Sequence, residues 1–350
     1  MKGITRIFVL AVSICLLLLL QELLIPKYME HAREGALTGE YYANAGNNDV
    51  IFIGDCEVYE NFSPITLWER YGITSYIRGS AQQTVWQSYY LMEETFRYET
   101  PRVMVFNVLS MKYDTPESTG NRSRREAYNR MTLDTMRWSS SKWNAILASM
   151  TEEEKQGDGI FSYLFPILRY HDRWRQLTQE DFTYWFHRDT VSHNGYLMQT
   201  GVKPYTTPYA QPPLADYSFG ESWYYLDQMV QLCADHGTRL VLIKSPSVAP
   251  VWWEQWDAQI EAYAQKHGLL YINMLEHQKQ IGIDWNEDTY DAGYHLNVYG
   301  AEKTSAWFGQ ILAEICGVPD RRKDQALAAI WSEKSASYDQ QKRSLEHETN

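Results

Sequence analysis

Val50-Ile51-Phe52-Ile53-Gly54-Asp55-Cys56 is the stretch on which the reading of this chain turns. Four apolar residues closed by a glycine read as a buried strand entering a tight turn. The turn presents one nucleophilic side chain, the Cys56 thiol. Far downstream, Asp291-Ala292-Gly293-Tyr294-His295-Leu296-Asn297 sets a carboxylate and an imidazole on one short loop ahead of a helix. A nucleophile, a base and an orienting acid are the minimum needed for covalent acyl transfer.

Outward from the first strand, apolar runs and amphipathic stretches alternate. A helix is expected around Pro64–Tyr71, then a short strand near Ser75–Ile77 ending at Gly79. A helix over Gln82–Tyr98 and a strand over Arg102–Val108 follow. The rhythm resumes with helix Glu221–Gly237, strand Thr238–Ile243, helix Val251–Gly268, strand Leu269–Asn273 and helix Val298–Ile315. Such alternation predicts an α/β fold with a parallel sheet. Active sites in such sheets gather at the carboxyl ends of strands, where Cys56 and Asn107 fall.

Residues from about 111 to 215 break the rhythm and read as an inserted, partly helical segment rich in Tyr, Trp, His and Arg. Its Trp138, Trp143, Trp174 and Trp185 are expected to pack the insertion onto the sheet, since large aromatics are mostly buried; stacking on sugar rings is the other use open to them. The segment from Pro319 to Asn350 is charged and reads as a solvated helix or a disordered tail. There is no internal repeat.

The N-terminus carries Lys2 and Arg6 ahead of the uncharged run Ile7–Leu20, extended through Ile25 before Pro26. A spanning helix needs about 20 mostly apolar residues, so residues 1–26 read as a membrane anchor, with 27–48 as a polar connector of helical tendency. A cleaved signal peptide is the alternative, although no small-x-small site follows promptly. Basic residues ahead of the run place the N-terminus in the cytoplasm and residues 49–318 outside.

A formal charge of -12 argues against a nucleic-acid partner. Of four cysteines, Cys15 lies in the apolar run, while Cys233 and Cys316 close the apolar stripes of helices and read as core. Three cysteines in the exported part cannot all pair, so at least one is a free thiol, and Cys56 is the odd one out. His171, His187 and His193 match no common zinc spacing, so no metal and no cofactor is expected.

At the start of a helix, Cys56 has backbone N–H groups that favour thiolate and its own N–H for an oxyanion; otherwise it is a small buried hydrophobe. His295 is placed to take the thiol proton with Asp291 orienting it, the alternative being a loop histidine beside a helix-capping Asp. Gly79 can bring a backbone N–H close to substrate, or be a turn glycine. Asn107 can donate its amide to an oxyanion, or satisfy loop backbone. Lys244, ending the fourth strand, can meet an anionic substrate or close a turn.

Phe52-Ile53-Gly54-Asp55-Cys56, Gly79, Asn107 and Asp291…His295-Leu296-Asn297 resemble, in order and spacing, the conserved blocks of the SGNH (GDSL-type) hydrolase superfamily. The nearest type is its membrane-anchored bacterial members that modify cell-surface polymers, such as D-alanyl-lipoteichoic acid biosynthesis proteins and polysaccharide O-acetyltransferases. The resemblance implies a flavodoxin-like three-layer α/β/α domain and a catalytic set of Cys56, His295 and Asp291. It also implies an oxyanion hole from Cys56, Gly79 and Asn107. Cys56 stands where the family has serine, the family's Asp-x-x-His spacing is one residue longer, leaving Asp288 as a second candidate acid, and no glycine stands two residues before Asn107.

The function expected is an extracytoplasmic esterase or O-acyltransferase acting on a surface polysaccharide or teichoic-acid-like polymer with an acyl donor, through an acyl-enzyme on Cys56. A catalytically silent glycan-binding or assembly factor beside a membrane-bound acyltransferase is the alternative, and a redox thiol protein a third, which lacks a Cys-x-x-Cys pair.

Overall fold

The computed structural model describes residues 2–26, 34–187 and 190–349, so residues 27–33 of the expected connector lie outside the described part. Five strands form one parallel sheet: β1 Val50–Gly54, β2 Ser75–Gly79, β3 Val103–Asn107, β4 Arg239–Lys244 and β5 Leu270–Asn273. Their order, β2-β1-β3-β4-β5, is that of flavodoxin-like doubly wound sheets. Every residue of β1 is buried because helices cover both faces, as a continuous apolar run requires.

The period of two divides that strand between two cores. Val50 and Phe52 join Phe62, Leu67 and Phe308 beneath helices Pro64–Tyr71 and Val298–Glu314. Ile51 and Ile53 join Trp86, Met92, Leu226 and Ile260 beneath helices Val85–Thr95, Ser222–Asp235 and Glu254–His267. The result is the three-layer α/β/α arrangement, with helix ends within a few residues of those read from the periodicity.

The segment between β3 and helix Ser222–Asp235 is partly helical, with short helices through Thr183 and little regular structure after that. Its tryptophans do not fasten it to the sheet. Trp138, Trp143, Trp174 and Trp185 are 57, 36, 60 and 40% exposed, and the buried anchors are smaller: Leu133, Met136, Ile146 and Met150 on one face, Val191 and Met198 on the other. Flexible Met and aliphatic side chains fill irregular gaps that a rigid indole cannot.

The charged C-terminal segment is not a loose tail. Helix Gln325–Thr349 carries Leu327, Trp331, Tyr338 and Leu345 on one stripe, and Trp331 stacks on Trp68 at 5.1 Å. Charge on its outer face had hidden this stripe in the composition. At the other end of the chain, helix Lys2–Leu24 is long and apolar enough to cross a membrane, and little of it is buried.

Because Trp331 is 3% exposed, Trp331→Ala should lower stability by about 3 kcal/mol or more in urea denaturation. A purely solvated tail would leave the midpoint unchanged.

Candidate active site

Gly54 ends β1, and an added Cβ there would stand 3.0 Å from the Asn107 Cβ and 3.3 Å from Val58. Only glycine allows the chain to fold back so tightly into the short helix Cys56–Tyr59, capped by the Asp55 side chain on the Glu57 N–H at 3.2 Å. Gly79 lies level with Gly54 on β2, and a Cβ there would meet Gly54 O at 3.0 Å and Tyr59 at 3.1 Å. The close seating of this helix on β2 thus requires a glycine at 79.

The helix start delivers Cys56, half-buried, to the side of His295, close enough for each to act on the other's charge. Asp291 Oδ2 lies 2.6 Å from His295 Nδ1, and Asp291 Oδ1 accepts the His295 backbone N–H at 2.8 Å. With Nδ1 so engaged, Nε2 is the nitrogen left for the sulfur. The extra residue in this loop is absorbed at Ala292 and Gly293, both at positive φ (64° and 94°), while Thr289 Oγ1 accepts the Gly293 N–H at 2.8 Å. Asp288 is occupied elsewhere: it pairs with Lys303 at 2.7 Å and is buried, so Asp291 is the acid that faces the imidazole. Asn297 caps the helix that follows by accepting from the Tyr299 and Gly300 N–H groups.

Three neighbours had no motif to announce them. Glu60 Oε2 stands 3.1 Å from His295 Nδ1, so the ring faces two carboxylates, and Tyr290 donates its hydroxyl to the same oxygen at 2.9 Å. Asn61, fully buried, accepts the Leu296 N–H at 2.8 Å and donates to Pro246 O at 2.9 Å and to Ser245 Oγ at 3.0 Å. It ties the histidine loop to the end of β4. An acid and an amide just after a strand-turn-helix are the only sequence signals for the pair, and their partners are distant in the chain.

The Asn107 amide, expected at an oxyanion, is engaged with neighbouring carboxylates. Both hydrogens of its amide are taken, by Asp55 Oδ1 at 3.2 Å and Glu57 Oε2 at 2.9 Å, and its oxygen accepts the Ser245 N–H at 3.1 Å. Lys244 is likewise withdrawn from any substrate: it is fully buried, with Nζ 2.9 and 3.0 Å from the two Glu57 oxygens, 2.6 Å from Ser245 O and 3.0 Å from Ser247 Oγ. Ser247 also donates to Glu57. An ammonium taken from water must be paired and hydrogen-bonded, and this one is.

The electrostatics follow. Burial pushes the Cys56 thiol up, His295 beside it pulls the other way without cancelling, and Asp55 and Glu60 add to the rise. Burial disfavours charge on His295, but the Cys56 sulfur, Glu60 and Asp291 outweigh it and hold its pKa well above the ordinary value. Burial and the neighbouring Glu57 push Asp55 up to about 6. The His295 side chain keeps 18% of its surface exposed, so the site opens to solvent. Tyr294 and Tyr209, whose rings meet at 5.0 Å, flank that opening, and Tyr209 donates to Ala292 O at 3.0 Å.

No protein-family model matches the chain, and no curated protein matches it. Among solved structures, it is similar to a Bacteroides fragilis protein described as a "putative acylhydrolase", at 12% identity and a TM-score of 0.39, over 79% of this chain and 95% of that one.

Lys244→Met should cost about 3–5 kcal/mol in urea denaturation, because Glu57 is left charged and unpaired. The double variant K244M/E57Q should recover most of that loss. Equal stability of the single variant and the parent would show that the pair is not closed.

Proposed function

We propose that this chain is a membrane-anchored, extracytoplasmic esterase or O-acyltransferase acting on cell-surface glycans through a thioester on Cys56. The observation that carries it is the convergence of Cys56 with the hydrogen-bonded pair His295–Asp291 at the carboxyl end of the sheet, brought together from opposite ends of the domain. The apolar helix Lys2–Leu24 behind a basic N-terminus supports the anchorage, and the tyrosine faces beside the opening suit a sugar ring. The resemblance to surface-polymer-modifying enzymes supports the glycan.

A raised thiol and a histidine held by two carboxylates favour general-base attack over a preformed thiolate. As Sγ adds to the ester carbonyl, His295 Nε2 takes the thiol proton, and Asp291 and Glu60 balance the imidazolium. The C–O bond then breaks, and the departing alcohol oxygen receives that proton. Water or an acceptor hydroxyl next attacks the thioester, giving its proton to His295, which returns it to the leaving sulfur. The Cys56 N–H, with Gly79 as the second backbone donor, would receive the oxyanion.

Incubation with an activated acyl ester should add one acyl mass to the intact protein, and Cys56→Ala should abolish the adduct. The rate of adduct formation should rise with pH through the His295 pKa, with its midpoint above about 6.5. Glu60 raises that pKa, so in Glu60→Gln the midpoint should fall to lower pH. An unmoved midpoint would remove Glu60 from the charge balance.

The commitment of the Asn107 amide favours one further reading, a silent glycan-binding or assembly factor beside a membrane-bound acyltransferase. Equal complementation of a deletion strain by wild type and Cys56→Ala, with no acyl adduct, would select it.

A further inference from the structure

Three short segments of the insertion, two of them bearing exposed aromatics, sit against the apolar N-terminal helix. Segments 167–170, 171–175 and 179–183 pack against helix Lys2–Leu24. Arg173 donates to Leu23 O and Leu24 O at 3.4 Å, and Gln21 and Leu24 are buried there. These segments therefore stand where a spanning helix would leave the hydrocarbon.

What they turn outward is apolar. Phe182, Trp185 and Phe186 follow i, i+3, i+4 spacing on helix Gln179–Thr183 and the turn after it, and Phe186 is 90% exposed. Phe161 and Leu168, on two short helices in the same insertion, are exposed as well, and so is Trp174. Arg175 lies over the Trp174 ring at 5.0 Å, a basic-aromatic pair suited to the headgroup layer. Soluble proteins seldom leave so many large apolar side chains in water without a covering partner.

We infer that this part of the insertion, residues 159–186, docks on the outer interface of the bilayer that its own N-terminal helix spans, with Trp174, Phe182, Trp185 and Phe186 entering the headgroup–acyl boundary. The occupant is lipid because the patch is continuous with the helix end: a surface beside a spanning helix meets that membrane before any other partner. Tryptophan and phenylalanine beside arginine are also the side chains that settle at such boundaries. The catalytic domain is thereby held at a fixed height and tilt, not swung on a tether. This inference does not depend on the chemistry at Cys56.

The test uses the full chain reconstituted in phosphatidylcholine–phosphatidylglycerol vesicles with and without dibrominated acyl chains. Bromolipid should quench the tryptophan emission of the parent, and the double variant W174F/W185F should lose at least about half of that quenching. F182S/F186S should lose quenching too, by lifting the patch. Both variants remove exposed groups and should unfold at the parent's urea midpoint, which separates undocking from misfolding. Equal quenching in parent and W174F/W185F would overturn the inference. So would efficient cross-linking between copies through Phe186→Cys in the vesicles, which would put a second copy on the patch.

Discussion

One buried ion pair underlies the candidate site. Glu57 and Lys244 come from the turn after β1 and from the last residue of β4, strands separated in the sheet by β3. Asn107, at the end of that intervening strand, joins them through its amide. Three strand ends are thus locked by one set of hydrogen bonds, and the helix that presents Cys56 takes part in it through Glu57. Asn61 then extends the lock to the histidine loop. In water such a pair would be weak; out of water it is costly to break, which is why it can fix the position of the thiol that stands beside it.

This arrangement gives the carboxylates near Cys56 separate tasks. Glu57 neutralises Lys244 and orients Asn107, Asp55 caps the helix, and Asp291 and Glu60 face the imidazole. Much of this acidic density is turned inward, against the sulfur. Burial does most to hold the thiol up, and the carboxylates Asp55 and Glu60 add to it; the sulfur itself, with Glu60 and Asp291, holds the histidine up. A thiol in this setting is kept protonated, unlike the activated thiolate of a helix end facing a cation.

The sheet was legible in the sequence because each strand is a short apolar run, buried on both faces and bounded by turn residues, and because helices of 3.6 periodicity intervene. The meeting of Cys56 with Asp291 and His295 was legible because each segment carries a local signature at a strand or helix end. Glu60, Asn61 and the pairing of Glu57 with Lys244 were not. Their meaning arises only when distant strand ends are brought together, and a lone Glu or Asn after a helix looks like surface. Asn107 was placed correctly at its strand end, but whether its amide points outward or is claimed by neighbours depends on Asp55 and Glu57. The tryptophans of the insertion were misread for a different reason. Composition reports how apolar a segment is, and not whether its apolar face meets the protein or something outside it.

The stacking of Trp331 on Trp68 joins the last helix to one that follows the first strand. Synthesis of a chain begins at its N-terminus, so the indole at 68 must wait, uncovered, until the helix that carries Trp331 has been made. A chain cut short before Trp331 would carry an open seam beside the sheet, ready for proteolysis.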